Sequence, residues 1–239
     1  MKQPIAPRGC FVTGTDTEVG KTRVSAALLR WCTDQGWRSA GFKPVAAGLE
    51  QVDDQWINAD VQALRQASSV PLAEDEICPC QFRAACAPHL AAAQEGRVID
   101  LDAVLHAARH LARKSDALVV EGVGGFVVPL DAQRDTADLA QALGLPVVLV
   151  VGLRLGCLNH AMLTAQSVQA RGLRLAGWVG NTVDPAMPWK DDNFATLQQM
   201  LWTRHGAVAL GHVPRLPDPS PQVILSHLDT AGLRQVFAR

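Results

Sequence analysis

The residues of this chain best suited to chemistry close the stretch Gly14-Thr15-Asp16-Thr17-Glu18-Val19-Gly20-Lys21-Thr22. A glycine, a lysine and a hydroxyl in succession at a helix start make an anion site. Backbone N–H groups and the positive end of the helix face the anion. Lys21 can reach the β- and γ-phosphates of a nucleotide, and the Thr22 hydroxyl can ligate magnesium. The stretch departs from the usual G-x-x-x-x-G-K-[ST], because Thr15 stands where the first glycine belongs and Gly14 lies one residue early. A tight turn with a lysine at a helix start is the plainer reading. A buried strand before the loop and a helix after it, both in register, favour phosphate.

Three more polar residues stand where strands or helices deliver them. Residues 39–45 read as a strand that brings Lys43 to its end, just before Pro44. Such strand ends face the ligand crevice of an open parallel sheet. Asn58 can cap a helix running to about Ala67, with Asp60 in the first turn. Asp60 is either a solvated carboxylate that complements the helix dipole or a metal-linked one, and composition does not choose. The apolar run 117–120 ends in Glu121-Gly122-Val123-Gly124-Gly125. A carboxylate there, followed by glycines, suits a magnesium or water ligand near phosphates.

Strands and helices alternate around these positions. Residues 23–35 carry Val24, Leu28, Trp31 and Cys32 at helical spacing, with Gly36 as a stop. A loop with Gly48 and Asp53-Asp54 follows. Residues 70–87 read as irregular, 88–96 as a short helix, and 101–114 as an amphipathic helix. His106 and His110 lie four apart on that helix, which suits a metal pair or a solvated face. A helix over 136–143 stops at Gly144. Strands over 146–151, 174–180 and 208–213 alternate with helices from about 160 to 171 and over 191–204, and a last helix follows Ser220. Continuous apolar strands separated by helices predict a doubly wound, mainly parallel β-sheet with helices on both faces. No long linker or repeat interrupts it, so the expectation is one domain over 1–239.

Composition narrows the function classes. Of 239 residues, 48% are hydrophobic and 19% charged, and the net charge is −1. With no basic stripe, nucleic acid is not expected as a partner, and anion binding must be local. The first seven residues lack an apolar run, so no secretory signal is expected. The apolar stretch near 145–151 is too short to span a bilayer. A soluble cytoplasmic protein is the expectation, with its six cysteines as thiols. Cys78, Cys80 and Cys86 cluster in sequence, but their spacing matches no common zinc pattern.

Five blocks resemble the dethiobiotin synthetase family. They are the loop 14–22 with its displaced glycine, Gly41-Phe42-Lys43-Pro44-Val45, Val120-Glu121-Gly122-Val123-Gly124-Gly125, Gly156-Cys157-Leu158-Asn159-His160-Ala161-Met162-Leu163-Thr164, and Gly177-Trp178-Val179-Gly180-Asn181. The resemblance implies an ATP-dependent carboxylase and cyclo-ligase of biotin synthesis, a homodimer with shared sites that uses magnesium. Its substrates would be ATP, CO2 and 7,8-diaminopelargonic acid, and its intermediates a carbamate and a carbamic-phosphoric anhydride. It implies Lys43, Lys21 and Thr17 as catalytic residues, and Thr22, Asp60 and Glu121 around magnesium. It implies nucleotide contacts from Glu18, Val19, Gly20, Lys21, Thr22, Arg23, Asp60, Glu121, Gly122, Val123, Gly124, Asn181, Thr182, Pro214, Arg215 and Leu216. Thr17, Lys43 and Ala47 would meet the substrate, and Gly156, Cys157, Leu158 and Asn159 would hold its carboxylate from the partner subunit. Ala47 and Ala87 stand where that family often carries serine, and Val123 where it usually carries alanine. Two other readings of such a loop are a related P-loop amidoligase and a partitioning or positioning ATPase. Many of the latter carry a second lysine early in the loop, where this chain has Asp16.

Overall fold

The computed structural model describes residues 8–238. The N-terminal stretch read above as lacking a secretory signal lies outside the described residues. Strand β1 (Gly9–Gly14) leads through the loop into helix α1 (Lys21–Asp34). There follow β2 (Ser39–Phe42), β3 (Val45–Ala47), β4 (Glu50–Val52), β5 (Gln55–Ile57), α2 (Ala59–Ala67), α3 (Glu74–Ile77), β6 (Cys80–Phe82), α4 (Pro88–Gln94) and α5 (Leu101–Lys114). The second half adds β7 (Ala117–Glu121), α6 (Thr136–Leu143), β8 (Val147–Leu153), α7 (Cys157–Ala170), β9 (Leu175–Thr182), α8 (Lys190–His205), β10 (Val208–Val213), α9 (Pro221–Leu225) and α10 (Thr230–Val236).

Six strands form the central sheet in the order β10-β9-β8-β1-β7-β2, and every neighbouring pair is parallel. This is the doubly wound sheet that the alternation predicts. Strands β1, β7 and β8 are buried along their whole length. Their continuous apolar runs follow from helices packed over the sheet, with α1 against α2 and α9, α5 against α6, and α7 against α8. The strand order reverses at β1, which lies between β7 and β8. A crevice opens at such a reversal, outside the carboxyl ends of the strands. Lys21, Glu121 and the ends of β8 and β9 are all delivered there.

Four stretches differ from the sequence expectation, the first being residues 70–87, which hold α3 and β6 where irregular chain was expected. Residues 39–45 form two strands, not one. Pro44 has no N–H for a ladder, and the Lys43 N–H donates to the Ile77 carbonyl at 2.8 Å. Strand β3 pairs instead with β6, in a separate two-stranded sheet. The loop expected around Asp53-Asp54 is a hairpin of β4 and β5, turned by two left-handed residues with φ of 47° and 62°. The tail holds two short helices, and α9 packs back on α1. Among the described residues no helix is long and apolar enough to cross a membrane. Cys78 and Cys80 are buried and Cys86 is exposed, while His106 and His110 both face solvent.

Candidate active site

The loop after β1 is held from two sides. The Thr15 N–H donates to the Val150 carbonyl at 3.0 Å. Asn181, near the end of β9, donates its side-chain amide to the Val19 carbonyl at 2.8 Å. Gly20 has φ of 94°, and a Cβ there would strike the Asn181 amide. Only glycine meets both demands. Glu18 also takes a left-handed conformation, with φ of 59°. Asp16 forms an ion pair with Arg154 beyond the end of β8. Its carboxyl is held below its usual range by the Thr17 N–H first, and by Arg154 against the cost of burial.

Lys21 opens α1 and is buried. Its Nζ donates to the Asp16 carbonyl at 2.9 Å. Burial, with the nearby Lys43 ammonium, pushes its pKa down to about 8. A cation so placed gains strongly from an incoming phosphate.

Beside it, Thr22 of α1, Asp60 of α2, Glu121 of β7 and Lys43, from the link between β2 and β3, converge. The Thr22 hydroxyl lies 2.7 Å from Asp60 Oδ1 and 2.8 Å from Glu121 Oε1. With one proton it donates to one carboxylate at a time. Lys43 Nζ donates to Glu121 Oε1 at 2.6 Å and to Asp60 Oδ2 at 2.8 Å. Burial opposes the charge on Lys43, but Glu121 and Asp60 outweigh it and hold the ammonium above its ordinary range. Asp60 is likewise held below its usual range, because Lys43, the Thr22 hydroxyl and Lys21 outweigh its burial. Asn58 fixes Asp60 in place. Its side-chain oxygen accepts from the N–H groups of Asp60 and Val61, and its amide donates to the Gly48 carbonyl at 3.1 Å.

These oxygens fit a magnesium ion. Glu121 is fully buried, and its Oε2 has no hydrogen-bond partner among the described residues. A buried carboxylate oxygen without a donor is costly unless a cation or donor meets it. Two carboxylates and a hydroxyl suit an ion that takes oxygen ligands and completes its shell with water and phosphate.

Next to this cluster lies a cleft of about 880 Å³. Of the residues singled out in the sequence, Thr17, Glu18, Val19, Gly20, Lys21, Thr22, Arg23, Lys43, Ala47, Asp60, Val123, Gly124, Asn181, Thr182, Pro214, Arg215 and Leu216 line it. Glu121 and Gly122 lie behind its wall, with Glu121 reaching it through Thr22 and Lys43. The cleft also takes in Glu50, Arg154, Asp184, Pro219 and Ile224, which the sequence did not single out. Arg154 and Asp184 follow the ends of β8 and β9, so their strand-end position was an available signal. Pro219 and Ile224 carry none, because only the return of α9 onto α1 brings them there.

Gly156, Cys157, Leu158 and Asn159 do not line the cleft of their own chain. They open α7, where Gly156 has φ of 93°. The Cys157 N–H donates to the Arg154 carbonyl at 3.0 Å, so Cys157 has no N–H to offer an anion. The first helical bond runs from the His160 N–H to the Gly156 carbonyl. Leu158 and Asn159 are left with the N–H groups that this helix start can present. Leu155 and Leu163 are exposed beside them.

A family model described as an AAA domain matches residues 8–223. The chain is 54% identical to the ATP-dependent dethiobiotin synthetase BioD of Ralstonia nicotianae, over 94% of this chain and 96% of that protein. The chain belongs to the dethiobiotin synthetase family. Family membership sets aside both the amidoligase and the partitioning-ATPase readings of the loop. Among solved structures, MinD cell division protein of Aquifex aeolicus superposes with a TM-score of 0.54 at 13% identity, over 96% of this chain and 94% of that one. The MinC:MinD cell division protein complex of the same organism gives 0.53 at 10% identity, over 96% and 93%. Those two likenesses speak for the fold alone.

Proposed function

We propose that this chain closes the ureido ring of dethiobiotin in biotin synthesis, taking ATP, CO2 and 7,8-diaminopelargonic acid in the cleft above β1. The observation that carries the reading is the convergence of Lys21, Thr22, Lys43, Asp60 and Glu121 at one wall of that cleft. One amine of the substrate adds to CO2 and loses a proton, giving a carbamate. A carbamate oxygen attacks the γ-phosphorus, and the bond to ADP breaks. The second amine attacks the carbonyl carbon of the mixed anhydride, and phosphate leaves with the carbamate oxygen.

The first two partners are both anions, so the protein's task is positioning and neutralisation. Lys21 meets the β- and γ-phosphates, and Lys43 meets the carbamate and the γ-phosphoryl group. Thr17 lines the reacting end, where Ala47 leaves an apolar wall. Thr22, Asp60 and Glu121 would hold magnesium, which would neutralise phosphate oxygens and take over charge now balanced by Lys43. Asn181, Thr182 and Pro214 to Leu216 flank the base. Leu158 and Asn159, in the helix start 156–159, receive the substrate carboxylate across a homodimer interface, at which the exposed Leu155 and Leu163 become covered. We place the enzyme, as a single domain, in the cytoplasm.

The test is a turnover assay with ATP, magnesium, bicarbonate and the diamine, read by mass spectrometry. The expected result is dethiobiotin and ADP in equal amounts, with no ATP consumed when the diamine is left out. ATP hydrolysis that ignores the diamine, with no ring product, would overturn the reading.

A further inference from the structure

A carboxylate in a phosphate loop repels the anion that the loop must hold, so Asp16 needs a gain elsewhere to offset it. Its contacts show one. Oδ1 accepts from the Thr17 N–H at 2.8 Å, and Oδ2 accepts from the Arg154 guanidinium. The Asp16 backbone carbonyl accepts from Lys21 Nζ at 2.9 Å. That carbonyl and the Thr17 N–H belong to one planar peptide group, so whatever fixes the N–H fixes the carbonyl. The contacts therefore form a chain: Arg154 holds the Asp16 carboxylate, the carboxylate holds the Thr17 N–H, and the shared peptide aims its carbonyl at Lys21.

Each end of the chain is placed for this. Arg154 directly follows β8, and its own carbonyl accepts from the Cys157 N–H at 3.0 Å. The same strand also grips the loop one residue earlier, where the Gly152 N–H donates to the Thr15 hydroxyl at 3.3 Å. Arg154, Thr17 and Lys21 all line the cleft. An ammonium has three donors. Among the described residues the Asp16 carbonyl is the one hydrogen-bond acceptor of Lys21, so two donors are left for phosphate oxygens. The side chains of Arg154 and Asp16 are about half exposed, so their pairing contributes little to the stability of the fold.

We infer that Arg154 is a positioning residue for Lys21, acting through the Asp16 carboxylate and the Asp16–Thr17 peptide. The inference rests on reading the cleft as the nucleotide site. Two simpler roles make different predictions. If Asp16 and Arg154 acted only through their charges, removing the negative charge of Asp16 would tighten the binding of a polyphosphate. If Arg154 met the phosphates directly, its removal would weaken binding whether or not Asp16 kept its charge.

Calorimetric titration with magnesium ATP of the wild type, Arg154→Met, Asp16→Asn and the double variant tests this. Each single change should weaken binding roughly tenfold, the worth of one misaimed charge-assisted hydrogen bond. The double variant should bind no more weakly than the weaker single one, because both changes break the same chain. Arg154→Lys keeps the ion pair and should bind closer to the wild type than Arg154→Met does. Thermal midpoints should stay within about 2 °C of the wild type, as for an exposed pair. Tighter binding by Asp16→Asn would overturn the inference. So would losses that multiply in the double variant, an Arg154→Lys loss equal to that of Arg154→Met, or weaker binding matched by a lowered midpoint. Lys21→Ala is the separate control: undiminished binding of magnesium ATP there would sink the nucleotide-site reading itself.

Discussion

Lys21 and Lys43 are both buried lysines, yet their surroundings set opposite consequences for removing them. Lys43 neutralises Glu121, which has no exposure, and also meets Asp60. Lys43→Met should leave a buried carboxylate without its ion-pair partner and destabilise the fold by about 3 kcal/mol. Lys21 donates only to a backbone carbonyl, and burial already disfavours its charge. Lys21→Ala should change stability by less than about 1 kcal/mol. Both variants should lose turnover, so denaturant unfolding distinguishes them where an activity assay does not. Equal destabilisation by the two would contradict the charge assignment. Glu121→Gln keeps the shape but removes a charge, and should raise the magnesium concentration needed for half-maximal turnover by an order of magnitude or more. An unchanged magnesium titration would remove Glu121 from the ligand set. The sequence made these side chains legible as candidates but not their pairing. Asp60 stood undecided between a solvated and a metal-linked carboxylate, because only the folded chain brings Lys43 and Thr22 against it.

The helix starts do much of the positioning. Asn58 caps α2 and ties it to Gly48, so Asn58→Ala should cost about 1 kcal/mol of stability. Because Asp60 lies in the first turn of α2, the same change should raise the ATP KM more than the stability loss explains. A wild-type ATP KM in the folded variant would show that the cap does not govern Asp60. At this scale the sequence was clearest where periodicity and caps agreed. Asn58 and α2, Gly144 and α6, and the amphipathic α5 all stand where the spacing puts them. It was least clear at Lys43-Pro44, where a β-like run conceals a change of sheet. The Asp53-Asp54 turn was missed for a different reason: aspartate takes the left-handed region less readily than asparagine or glycine, so its signal is weak.

For the whole molecule, the helix start at α7 lies outside its own cleft, and under the proposed function it holds the substrate carboxylate of a site completed by a second subunit. Asn159→Asp places a negative charge in the first turn, which favours the helix but repels a carboxylate. It should raise the diaminopelargonate KM tenfold or more and leave the ATP KM unchanged. Mixed with Lys43→Met under subunit exchange, it should recover activity, since one of the two heterodimer sites carries neither lesion. No recovery, with exchange demonstrated, would mean that each site is built within one chain. The sequence points to this proposed arrangement only through family resemblance, because no spacing within one chain encodes a contact between two. In the proposed mechanism CO2, taken up as a carbamate, attacks ATP in this cleft. The most direct test supplies ¹⁸O-labelled bicarbonate in unlabelled water and follows the label at early times. One ¹⁸O should appear in the released phosphate and one in the ureido carbonyl of dethiobiotin, in step with ADP. Unlabelled phosphate, whose new oxygen came from water, would contradict the account.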